Sequence, residues 1–244
     1  MEVRLLGSQS PYCKINKACP SYLVTDGETK ILLDCGSGSH RFFDMLNDLD
    51  NLNIFVSHLH RDHYNDIFIY QYSSQVLKNL GFVKNGIHIY LPKNPVTISD
   101  DIKSEKACVA TFDDIEEDKV FQIDDLKVEF SRNIHSKKCD VFAIKVSKKD
   151  KCIVYSSDTS YASKDRLVEF AKGADLFICE SSYIDAYGYP EICNHLRASQ
   201  AATIAKEAGV KRMVLTHFWP EEDLRNYMND AKKIFKNVDV AQEN

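Results

Sequence analysis

Four residues able to bind a cation fall within six positions, in the run His58-Leu59-His60-Arg61-Asp62-His63. In an extended segment, side chains two apart point to the same side. His58 and His60 can then grip one cation, and a turn at 62–63 would aim Asp62 and His63 at a neighbouring one. Imidazole suits Zn, Fe and Ni, and carboxylates bridge ions or hold harder ones. A single HxH is most often a solvated polar loop, but HxHxDH directly behind the apolar run NIFVS is a poor match to chance. The same juxtaposition recurs along the chain. KILLD ends at Asp34, LKVEFSRNI leads into His135, KCIVYSS into Asp158, DLFIC into Glu180 and RMVLT into His217. In layered α/β sheets, ligands gather beyond the carboxyl ends of strands, so these endings are expected to converge. Taken singly, His135 and His217 are as readily satisfied core or surface histidines, and Asp158 a helix cap. The ordered set raises all three.

The elements that must position these residues are legible as short β-type runs. They fall at 2–6, 21–25, 29–34, 53–57, 87–91, 119–123, 126–134, 141–147, 151–157, 174–179 and 211–216. LKVEF alternates like a half-buried strand, whereas KILLD, NIFVS, KCIVYSS, DLFICE and RMVLTH are continuous apolar runs, as in strands covered on both faces. Lys148-Lys149-Asp150 reads as a hairpin turn. Helical patterns cover 66–80, 164–172, 196–208 and 222–235, the first three stopping at Gly81, Gly173 and Gly209. Hairpins mixed with strand–helix units predict an α/β chain of layered αββα type. With no linker, repeat or low-complexity tract, residues 1–244 read as one domain.

Composition narrows the function classes. The formal net charge of −5, from 31 basic and 36 acidic residues, lacks the basic footprint of a strong nucleic-acid binder. No apolar run is long enough to span a bilayer, and the N-terminus has no secretory core. The eight cysteines are scattered rather than framed, which predicts a reducing, cytoplasmic setting. Cys152 and Cys179 lie in apolar runs and read as core; Cys13 and Cys19 are too far apart for a zinc knuckle. His40 and His88 fit no motif and read as structural.

HxHxDH with its ordered partners resembles the metallo-β-lactamase superfamily over nearly the whole chain. The resemblance implies a four-layer αββα metallo-β-lactamase sandwich holding two divalent metal ions, Zn2+ or alternatively Mn2+. It implies His58, His60 and His135 on one metal, Asp62, His63 and His217 on the other, and Asp158 as the bridging carboxylate. Asp34 is similar to the superfamily's first-motif aspartate, which supports the histidine loop from behind the ligands. Two-zinc β-lactamases of this fold carry cysteine where this chain has Asp158; an oxygen there fits hydrolases of phosphoesters or thioesters.

The stretch NHLRASQAATIAKEAGVKRMVLTHF resembles the ribonuclease Z branch, in which a histidine near the metals is held by a glutamate; here these are His195 and Glu180. Two departures bear on substrate. Only a hairpin separates His135 from Asp158, where that enzyme carries a tRNA-gripping arm, and the glycine-rich N-terminal signature is weakened to GSQSPYCKINKACPSY. The chain therefore looks more like the short, armless cyclic-nucleotide phosphodiesterases, including phage anti-Pycsar enzymes acting on cyclic CMP and cyclic UMP. The implied reaction is attack of a metal-bound hydroxide on phosphorus, with Asp62 orienting it and His195, held by Glu180, stabilising charge or protonating the leaving oxygen. Tyr183, Tyr187 and Tyr189 could stack on a base or equally pack a homodimer contact. Lys137 and Lys138 could meet a phosphate but read more simply as surface lysines. The competing readings are a tRNA 3′-end endonuclease, a glyoxalase-type thioester hydrolase, and a non-catalytic nucleotide-sequestering protein.

Overall fold

A computed structural model of the protein describes residues 1–104, 109–187 and 194–242. Its strands form two sheets, each within its own compact unit: Met1–Ile115 with Lys138–Asp140 and Gln242 in the first, Glu116–Lys137 with Val141–Ala241 in the second.

The first unit is built on β1 (Glu2–Gly7), β2 (Ser21–Asp26), β3 (Thr29–Leu33), β4 (Asn53–Phe55), β5 (Ile87–Leu91) and β6 (Ala110–Asp114), paired in chain order. β1 to β3 pair antiparallel. The steps from β3 through β6 are parallel, with Leu33 beside Phe55 and Phe55 beside Tyr90. Parallel neighbours need crossovers, and these carry α1 (Met45–Asp48), α2 (Arg61–Tyr64), α3 (Ile67–Asn79) and α4 (Val96–Lys103). The continuous apolar runs of β3 and β4 bury Leu32, Ile54 and Val56 in one cluster with Tyr64, Ile67 and Tyr70 of the crossover helices. α3 also turns an apolar row outward: Phe68, Ile69, Tyr72 and Val76, continued by Leu80 and Phe82, are exposed.

The second unit holds β7 (Val120–Ile123), β8 (Leu126–Arg132), β9 (Phe142–Lys148), β10 (Lys151–Tyr155), β11 (Leu176–Glu180), β12 (Met213–Thr216) and β13 (Val238–Val240), again in chain order. β7 to β10 are antiparallel; β10 to β13 are parallel, crossed over by α5 (Lys164–Phe170), α6 (Ala198–Ala208) and α7 (Leu224–Lys232). The predicted hairpin is present, with Lys148 paired to Lys151 around a two-residue turn. The alanine face of α6 buries Ala201, Ala202, Ala205 and Ala208, and Gly209 ends the helix at φ +64°, a left-handed cap that glycine adopts without a Cβ penalty.

Among the described residues, α1, α4, β6 and β13 lie outside the predicted runs, and α2 forms where only a turn at 62–63 is expected. α4 carries Val96, Thr97, Ile98 and Ile102, β-branched residues that disfavour helix locally; tertiary burial of Ser99 and Ile102 holds it instead. Cys179 is core, as predicted, whereas Cys152 is only half-buried. His40 and His88 have structural partners, Asp66 at 2.8 Å and Asp113 at 2.9 Å. Among the described residues no helix is long and apolar enough to cross a membrane.

Candidate metal centre

In the first unit the histidine loop leaves the end of β4 extended, His60 having φ −87° and ψ 142°, and then winds into the single turn of α2. This is the extended-then-turned geometry expected of 58–63. His58 Nε2 and His60 Nδ1 lie 3.1 Å apart, and His63 Nε2 lies 3.6 Å from Asp62 Oδ2. Asp34, immediately after β3, is wholly buried behind the histidine loop. Its Oδ1 accepts from the Ser57 N–H at 2.6 Å, and its Oδ2 accepts from Ser57 Oγ at 2.8 Å and meets His63 Nδ1 at 2.8 Å. The His63 Nδ1 proton is therefore directed to Asp34, which leaves Nε2 as the ring atom able to bind a cation. Asp62 Oδ2 accepts from the Ser10 hydroxyl at 2.7 Å. Gly36 makes the close packing of this loop possible: a Cβ there would sit 2.1 Å from the Asp62 carbonyl oxygen.

In the second unit the parallel half of the sheet delivers three of the remaining residues from successive strand ends. Asp158 follows β10, Glu180 closes β11 and His217 follows β12. His217 Nε2 lies 3.0 Å from Asp158 Oδ1, and His135 Nε2 lies 3.6 Å from Asp158 Oδ2. His135 Nδ1 is 2.7 Å from the Asn194 carbonyl. A carbonyl can only accept, so the proton is on Nδ1 and Nε2 keeps its lone pair. Glu180 is 1% exposed and collects five donors. Oε1 accepts from Thr159 N at 2.8 Å and faces His195 Nδ1 at 3.0 Å; Oε2 accepts from Ser182 N at 3.3 Å, Ser182 Oγ at 3.0 Å and Leu196 N at 3.2 Å. Burial resists protonation of His195, but the Glu180 carboxylate, with Asp158 beyond it, outweighs burial and carries the imidazole above the ordinary histidine range.

The donor chemistry fits a divalent cation. Asp158, His195 and His217 bring ligand atoms within 4.8 Å of one another. In both units ring nitrogens face each other or a carboxylate, an arrangement that a positive ion between them stabilises. Three non-glycine residues at these strand ends, Asp34, Ser157 and His217, have left-handed backbone with φ of 58°, 53° and 63°.

The tyrosines divide. Tyr183 packs edge-on to His195, ring centroids 6.0 Å apart. Tyr187 is exposed with its hydroxyl donated to Glu222, and that bond holds the phenol above its usual range. Tyr189 lies outside the described residues. Sequence reading missed Ser10, Ser57 and Ser182; the available signal was that Ser57 immediately precedes the first histidine and Ser182 lies two residues past Glu180.

Known proteins share the sequence pattern and the fold. Residues 29–218 match the family model described as a beta-lactamase superfamily domain. The probable metallo-hydrolase YhfI of Bacillus subtilis (strain 168) is 29% identical over 254 residues, covering 99% of this chain and 97% of that protein. The crystal structure of YhfI superposes with a TM-score of 0.88 at 26% identity, over 99% of this chain and 96% of the other. A ribonuclease Z of Chlamydia pneumoniae is 28% identical over 294 residues, covering 99% and 94%. Unliganded yeast PDE1 shares the fold at a TM-score of 0.75 and 10% identity, over 99% and 97% of the two chains. The chain thus belongs to the metallo-β-lactamase superfamily and is a metallo-hydrolase of that fold, with ribonuclease Z-like and YhfI homologues.

Proposed function

We propose that the protein is a dinuclear phosphodiesterase that opens a small cyclic nucleotide such as cyclic CMP or cyclic UMP. The observation that carries this reading is the second unit's constellation: an aspartate, not a cysteine, beside His217, with His195 clamped to buried Glu180. In this reading His58, His60, Asp62, His63, His135, Asp158 and His217 would be the side chains that hold the ions. Zn2+ is the proposed metal, with Mn2+ as the alternative. Once bound, the ions polarise phosphoryl oxygens and lower the pKa of a water molecule. Asp62, fixed by the Ser10 hydroxyl, orients the attacking water and accepts its proton. His195, charged more readily than a free histidine, delivers a proton to the leaving oxygen while Glu180 holds its ring.

The small-substrate part is supported by what lies between His135 and Asp158. β9, a two-residue turn and β10 take up residues 142–155 of that interval, and the segments 136–141 and 156–157 that remain are too short for an arm that grips tRNA. The exposed apolar row on α3 supports a homodimer, because a patch of this kind rimmed by polar residues marks an association surface. The test is incubation of metal-loaded protein with a panel of 3′,5′-cyclic mononucleotides and a precursor tRNA, beside an Asp62→Ala control. Ring opening absent from the control supports the proposal and ranks the bases. Cleavage of the tRNA alone replaces it with RNA processing, and silence on both refutes it.

A further inference from the structure

Two serines occupy matched places in the two units. In the first, Ser57 Oγ donates to Asp34 Oδ2 at 2.8 Å and lies 3.2 Å from His58 Nδ1, while the same carboxylate oxygen meets His63 Nδ1 at 2.8 Å. In the second, Ser182 Oγ donates to Glu180 Oε2 at 3.0 Å and lies 2.8 Å from His217 Nδ1, while Glu180 Oε1 meets His195 Nδ1 at 3.0 Å. Each unit therefore has one buried carboxylate at a strand end, one imidazole bonded to it directly, and a second imidazole reached through a serine.

A hydroxyl has one proton and otherwise only lone pairs. With that proton donated to the carboxylate, the serine can only accept from the histidine. Nδ1 must then carry the ring proton and Nε2 the lone pair. We propose that Ser57 and Ser182 are positioning residues that fix the tautomer and ring orientation of His58 and His217, one for each of the two ions. The proposal rests on the dinuclear reading above. Neither serine needs its hydroxyl to stay in place: the Ser57 N–H bonds Asp34 Oδ1 at 2.6 Å, and the Ser182 N–H bonds Glu180 Oε2 at 3.3 Å. The alanine variants should therefore fold.

The experiment titrates metal-free protein with Zn2+ in competition with a chromophoric chelator, for wild type, Ser57→Ala, Ser182→Ala, Ser182→Thr and the double alanine variant. Removing such an outer partner costs about 10–100-fold in metal affinity. Wild type should take up two ions. Each single alanine variant should lose that factor at one ion only, the double variant at both, and Ser182→Thr should behave as wild type. Unchanged affinity in both alanine variants would overturn the serine role and leave the dinuclear centre standing. Equal weakening of both ions by either single substitution would overturn it as well, by showing general loosening. Fewer than two ions in wild type would overturn the dinuclear reading and the serine role with it.

Discussion

Replacing Glu180 by glutamine keeps its shape and removes its charge, and the structure says what must follow. Oε2 serves three donors and Oε1 two. The amide –NH2 will therefore settle on the Oε1 side, opposite Thr159 N and His195 Nδ1. His195 can relieve its own conflict by moving its proton to Nε2 and accepting from the amide. Thr159 N cannot change, and one buried unmet donor costs about 1–3 kcal/mol. For a chain of this size that is a fall in melting temperature of about 2–12 °C. The larger effect is chemical. Burial strongly disfavours the charged form of His195, and Glu180 is what overcomes it. Without the carboxylate the imidazole pKa falls. If protonated His195 is the acid, activity is present below that pKa and lost as pH rises through it, so the alkaline limb of the kcat profile should move to lower pH. At neutral pH turnover should drop by about 10²–10⁴-fold, the usual worth of a positioned acid. The assay is steady-state hydrolysis of the best cyclic nucleotide across pH, with thermal unfolding of the same samples. A Glu180→Gln protein with wild-type melting and an unmoved alkaline limb would refute the assignment of both residues.

Further expectations follow from single contacts. Asp62→Ala should retain wild-type circular dichroism while losing nearly all turnover, because its loop is also held by the Cys35 N–H on the His63 carbonyl and by buried Asp34 on Ser57 and His63. Gly36→Ala would force a Cβ to within 2.1 Å of the Asp62 carbonyl, so it should destabilise by about 1–3 kcal/mol and lower activity together, read by thermal unfolding and kcat. Charging the α3 row with a Tyr72→Glu, Leu80→Glu pair should convert a dimer to a monomer in light scattering without loss of fold; an unchanged mass would remove α3 as the contact.

The sequence exposes what is periodic or densely chemical. Apolar runs such as KILLD, NIFVS and RMVLTH mark strands because their residues must be buried on both faces, and the polar residue after each run marks the site end of the sheet. The place of Asp34 beside the histidine loop is likewise legible, through resemblance. What stayed hidden depends on tertiary context. α4 is held by burial against its own local preference, and β13 is three residues long, below any periodicity signal. Ser57 and Ser182 are common residues whose meaning is in two hydrogen bonds apiece, and spacing along the chain does not encode which partner a hydroxyl finds.

The left-handed backbone at Asp34 and His217 bears on how this centre can drift in evolution. Few side chains accept that conformation; Asn, Asp and His do so several-fold more often than others, and β-branched residues scarcely at all. The fold therefore screens candidates at these positions by backbone shape before their chemistry is tried, and those that pass are largely oxygen and imidazole donors. Exchange toward valine or threonine is barred sterically, while glycine is admitted but ligand-less. At position 217, then, the glycine variant should outlast the alanine variant on heating although both lack the imidazole, and the vocabulary of viable replacements is short for a reason independent of catalysis.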